Sequence, residues 1–187
     1  MNGRTAVLLV ALLVGSAPAI AEPWEPGTSY IAVQVAHLEL DPGPEARETA
    51  RPRAVIARVG HQLGDYLGLE GRLGTRAGSD EVRASLPESD RDEAQVRMDR
   101  LFGVYATARF HLGGRFEATA VAGYTDARVS IADHDTALSR SRSGPSAGVA
   151  LDYAFGADYR ARLEVMHYVD RDDVSLQAIG IGFAFIL

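Results

Sequence analysis

The chain contains no cysteine and no lysine, and beyond its first stretch it has no long apolar run. Without cysteine there is neither a disulfide framework nor a thiol to carry a lipid anchor, so an exported form must be held by burial or by closure of its own sheet. With no stretch of ~18 apolar residues after position 21, no helix can cross a bilayer. A strand-built span needs only ~9–11 residues and is untouched by that exclusion. All 19 basic residues are arginine, set against 25 acidic ones, for a net charge of −6 and a pI of about 5.3. That balance argues against a nucleic-acid partner.

What is present begins with an export signal. Arg4 supplies a positive start, Ala6 to Gly15 an apolar run too short to span as a helix, and Ala19-Ile20-Ala21 a small-x-small cleavage site. Residues 1–21 are therefore read as a cleaved signal peptide and 22–187 as one mature domain, with Glu22 to Gly27 a short Pro-rich leader.

The far end, Val174 to Leu187, alternates with a period of two, the mark of a β-strand. Ile179, Ile181, Phe183, Phe185 and Leu187 share one parity. Ala178, Gly180, Gly182, Ala184 and Ile186 share the other. A bulky apolar face opposite a nearly bare one suits lipid outside and the crowded interior of a small closed barrel inside. A core strand of a soluble β-protein is the alternative. Seven further segments alternate in the same way: Tyr30–Leu40, Ala54–Leu63, Leu67–Arg76, Met98–Phe110, Phe116–Thr125, Pro145–Phe155 and Tyr159–Asp170. Tight turns at Gly64-Asp65-Tyr66, Leu112-Gly113-Gly114 and Gly156-Ala157-Asp158 alternate with polar loops at Asp41–Arg53, Ala77–Arg97 and Ser130–Ser143. Eight strands with long loops on one side and short turns on the other predict an all-β fold, an eight-stranded antiparallel up-and-down transmembrane barrel. An immunoglobulin-like sandwich has no reason for that alternation.

The segments 60–74 (GHQLGDYLGLEGRLG), 104–110 (VYATARF), 120–124 (AVAGY) and 148–153 (GVALDY) resemble small porin-family barrels, the opacity-protein-like and OmpA/OmpX-type eight-stranded outer-membrane proteins. The spacing of Gly182, Phe185 and Leu187 resembles the terminal signal that such barrels offer to the barrel-assembly machinery. The resemblance implies a Gram-negative outer membrane, contact with its lipid and lipopolysaccharide, a monomer, and a structural or surface-interaction role such as adhesion or envelope integrity.

On the inward parity lie Arg58, Arg72, Arg109, Arg160 and Arg162 with Glu70, Asp99, Glu117, Asp152 and Glu164. Unpaired charges in so narrow a lumen would each cost several kcal/mol, so a salt-bridged plug is expected; a narrow ion-conducting path is the alternative. Barrel enzymes that modify lipid A need a serine beside a histidine and an acid. Ser130 and His134, beside Asp133 and Asp135, form the one such cluster, and it sits in a loop. No catalytic residue, metal or cofactor is therefore expected. His37, His61 and His167 fall on the outward parity near strand ends, and His111 borders a turn. The 77–97 loop and the loop carrying Arg140 and Arg142 are the expected contacts to a host surface, an envelope protein or lipopolysaccharide phosphates.

Overall fold

The computed structural model describes residues 24–41, 53–77, 95–133, 136–171 and 174–187. The expected signal peptide, most of the 77–97 loop, and the pair His134 and Asp135 lie outside them.

Eight strands follow one another: β1 (Ser29–Asp41), β2 (Arg53–Gln62), β3 (Leu67–Arg76), β4 (Gln95–Gly113), β5 (Phe116–Asp133), β6 (Thr136–Ala154), β7 (Tyr159–Arg171) and β8 (Val174–Ile186). Each pairs antiparallel with its neighbours in the chain, and β8 pairs back onto β1, from Tyr30 against Ile186 to Asp41 against Ser175. Closure leaves no sheet edge at bilayer depth, where an unpaired backbone group has no water to turn to.

The alternation sorts the residues inside out. Ile31, Val104 and Ile181, at 51%, 53% and 62% exposure, point away from the barrel, while Gln34, Arg58, Arg72 and Glu164 are buried within it. A soluble barrel would place these sets the other way round, because an apolar belt of this extent in water drives association. At the end carrying the tight turns, aromatic rings gather on the outer surface: Tyr66 with Phe110, Phe116 with Tyr153, Phe155 with Tyr159 and Phe183, and Tyr159 with Phe185, centroids 5.1–6.3 Å apart. Such a girdle belongs at a membrane–water interface.

The strand lengths depart from the expectation of about ten residues each. β2 and β3 have 10, but β4, β5 and β6 have 19, 18 and 19. Most of the expected Ser130–Ser143 loop is paired strand, continuous to Asp133 against Thr136. The segment lacks an apolar parity in its sequence, yet ladder hydrogen bonds do not require one. β3 pairs with β4 only as far as Gly74 against Leu101, and β7 with β6 only as far as Tyr168 against Ser146. The outer parts of β4, β5 and β6 therefore project beyond the closed barrel as a three-stranded sheet. Strands this long, tilted by ~40°, rise roughly 45 Å against an apolar band of ~25 Å.

Candidate functional site in the barrel lumen

The pleat aims one parity of every strand into the lumen, and nine of the ten inward charges expected there are buried: Arg58, Glu70, Arg72, Arg109, Glu117, Asp152, Arg160, Arg162 and Glu164. The middle of the barrel holds two forked pairs. Arg72 donates through Nη1 and Nη2 to Glu164 at 2.7 and 2.8 Å and through Nε to Glu70 at 2.6 Å, with its plane 4.5 Å from the Tyr105 ring. Arg162 donates through Nε and Nη2 to Asp152 at 2.6 and 2.9 Å, and Thr119 donates to the same carboxylate at 2.8 Å. Longer contacts join the two forks. Arg162 Nη1 lies 3.6 Å from Glu70 and 3.7 Å from Glu164, while Arg58 Nη1 lies 3.8 and 3.6 Å from the same two carboxylates. Tyr30 donates its hydroxyl to Glu70. Three arginines and three carboxylates thus form one connected cluster, and planar forks on carboxylates give it a defined geometry.

Asp99 does not join this cluster. The register shift between Met98 and Arg100 interrupts the alternation at its own position, and it stands exposed, its backbone carbonyl accepting from the Thr75 hydroxyl at 3.4 Å. A bulge re-aims a side chain in this way and leaves no trace in the parity. Five buried arginines consequently face four buried carboxylates. The imbalance falls on Arg109, which donates to the Gln62 side chain and lies over two rings, 4.2 Å from that of Trp24 and 5.1 Å from that of Tyr30. Aromatic faces stand where a carboxylate was expected.

The charge is also confined along the axis. Towards the loop end the lumen is filled by Leu38, Ile56, Leu101, Tyr105, Met166 and Tyr168, all fully buried. A hydroxyl chain runs from Tyr105 to Thr125 at 2.6 Å and on to Ser146 at 2.7 Å. At the turn end Trp24 is buried in the lumen, from the leader that the periodicity left unassigned. Its Nε1–H donates to Glu117 at 2.7 Å. The signal that could have found it was a lone tryptophan just before Pro26-Gly27.

Of the proposed assembly residues, Phe185 and Leu187 face outward, whereas Gly182 faces inward with no room for a side chain: a Cβ there would lie 2.6 Å from the Val33 carbonyl oxygen. A steric reason for this glycine exists beside any role in recognition. His37, His61 and His111 are exposed and His167 is half-buried. His61 Nδ1 shares a hydrogen bond of 2.9 Å with Ser29 on the outer surface, and among the described residues no carboxylate bonds to it. Nor is any group of three His, Asp or Glu among the described residues placed to hold a metal ion.

The profile of the outer membrane protein beta-barrel domain matches residues 7–186. No curated protein matches the sequence. Solved structures of similar fold include the attachment invasion locus protein Ail of Yersinia pestis in complex with the heparin analogue sucrose octasulfate (15% identity, 87% of this chain and 99% of that one, TM-score 0.63). Neisserial surface protein A is similar at 12% identity, over 84% and 96% of the two chains, with a TM-score of 0.59. OprG from Pseudomonas aeruginosa is similar at 11% identity, over 87% and 97%, with a TM-score of 0.57.

Proposed function

This chain belongs to the outer membrane protein β-barrel family, and from that premise we propose that it is a non-catalytic surface barrel whose projecting sheet binds anionic glycan. The phosphates of lipopolysaccharide or the sulfates of a host polysaccharide would supply the charge. The carrying observation is the β4–β6 projection, which stands well clear of the apolar band. On the outer face at its base, one residue beyond the last closed-barrel pair, Arg100 and Arg128 are opposed in register and exposed, Arg128 donates to Ser141 at 3.2 Å, and Arg100 lies 3.8 Å from Asp126. Guanidinium groups suit phosphate and sulfate geometry. Ail, of the same fold, was solved with a sulfated sugar.

Replacing residues 128–141 by a two-residue turn leaves the closed barrel intact and removes the projection. Cells carrying the shortened protein should lose retention on a heparin matrix and adhesion to sulfated surfaces, and Arg100→Ala with Arg128→Ala should lose most of it. Unchanged retention, adhesion and serum survival in both strains would dismiss this reading.

The lumen's role in the proposal is structural. A cluster filled by side chains supports a barrel that passes no large current, since eight strands enclose room for side chains or one small ligand. Planar-bilayer recordings of the purified protein should show no stable porin-sized conductance. A sustained one would make the barrel a channel instead.

A further inference from the structure

We propose that the turn-end mouth of the lumen is a built indole-binding site, occupied by the chain's own Trp24, which holds the N-terminal segment in place as a stopper. Trp24 is the sole tryptophan, and only 4% of it is exposed. Its surroundings match the two parts of an indole separately. The ring edge packs on Tyr30, centroids 4.8 Å apart at an interplanar angle of 68°. Two cations meet the ring, Arg109 at 4.2 Å and Arg160 at 5.7 Å, where the negative π face attracts them. The one polar atom, Nε1–H, points at Glu117. A phenylalanine could pack on the same ring but would leave that carboxylate without the donor.

The chain is shaped to deliver this side chain. Glu25-Pro26-Gly27-Thr28 forms a turn closed by the Thr28 N–H donating to the Glu25 carbonyl at 3.1 Å, with Gly27 at φ +90°. Proline second and a left-handed glycine third are the requirements of a type II turn. The turn is pinned to β2, because Gly27 N–H donates to the Gln62 carbonyl and Gln62 N–H to the Thr28 carbonyl, each at 2.8 Å. It reverses the chain so that Trp24 enters the barrel beneath the start of β1. The site therefore also accounts for Arg109, the buried cation with aromatic rings in place of a carboxylate.

The test uses the full-length barrel refolded in lipid vesicles. Trp24→Ala empties the site and removes the only indole of the chain. Free indole should then bind saturably, with blue-shifted emission, and raise the unfolding midpoint towards that of the parent. Benzofuran has the same shape but an oxygen in place of the N–H. It should bind about tenfold more weakly or worse, as expected for loss of a hydrogen bond to a charged group. Absent saturable binding, or equal binding of the two probes, overturns the proposal. If Trp24→Ala does not fold, the parent answers through its single tryptophan, excited selectively at the red edge beyond tyrosine absorption. Its emission should be blue-shifted and shielded from iodide, and Gly27→Val, which cannot hold the left-handed turn, should expose it. Iodide quenching in the folded parent as free as in the unfolded chain would equally overturn the site.

Discussion

Replacing Arg72 with methionine should destabilise the folded barrel by about 3–5 kcal/mol, because two buried carboxylates lose their closest cation at once. Glu164 loses both arms of its fork and Glu70 its 2.6 Å partner. Arg58 and Arg162 remain 3.6–3.8 Å from these groups, too far to replace the hydrogen bonds. Neutralising a stranded carboxylate should recover much of the loss. Arg72→Met with Glu164→Gln should recover more than Arg72→Met with Glu70→Gln, since Glu164 carried the fork and Glu70 keeps the Tyr30 hydroxyl. Arg placed at outward-facing Val104 should cost a similar ~2–4 kcal/mol for an unrelated reason, burial of a charge in hydrocarbon near the midplane. No carboxylate change in the lumen should rescue that variant. Unfolding midpoints in lipid vesicles measure all four proteins. A neutral Arg72→Met would mean that the cluster contributes nothing to holding the barrel.

Deleting Phe183 to Leu187 should abolish membrane insertion and leave a periplasmic, degraded product. The segment supplies four of the twelve residue pairs of the closing β1–β8 seam. Ile186 pairs with Tyr30 and Phe183 with Val33 on one side, while Phe185 pairs with Tyr159 and Phe183 with Ala161 on the other. The Leu187 N–H donates to the Ser29 carbonyl at 2.9 Å and the Ile186 N–H to the Asp158 carbonyl at 2.8 Å. Removing them opens two strand edges at bilayer depth, and Tyr159 loses the Phe185 ring at 5.3 Å. Phe185→Ala with Leu187→Ala separates seam from signal, since it keeps every backbone bond. Slowed insertion of that variant followed by normal stability would assign the two side chains to recognition by the assembly machinery. Outer-membrane insertion of the truncated protein at the parent's level would remove the basis for both roles.

Most of the barrel was determined by the sequence alone, because its cause is local. A pleated strand sends successive side chains to opposite faces whatever lies around it. The parity of Ile179 through Leu187, of Phe102 through Phe110 and of Arg58 through Gln62 therefore separated lipid from lumen before any partner was known. Glycine-bearing turns marked where strands reverse, and the alternation of tight and long connections implied a meander. What parity cannot carry is anything set by register or by the path of unpaired chain. Asp99 shares the parity of Tyr105 and Arg109, yet a one-residue bulge turns it outward. Strands β4 to β6 continue through a segment with no apolar period, because ladder pairing needs only the backbone groups. Which carboxylate an arginine meets depends on which strands stand across the lumen. Arg72 reaches Glu164, 92 positions away, while Arg109 rests on the rings of Trp24 and Tyr30. That last contact was decided by the tertiary structure alone: a turn at Pro26-Gly27 folds back a leader without periodicity, and only barrel closure builds the mouth that receives it.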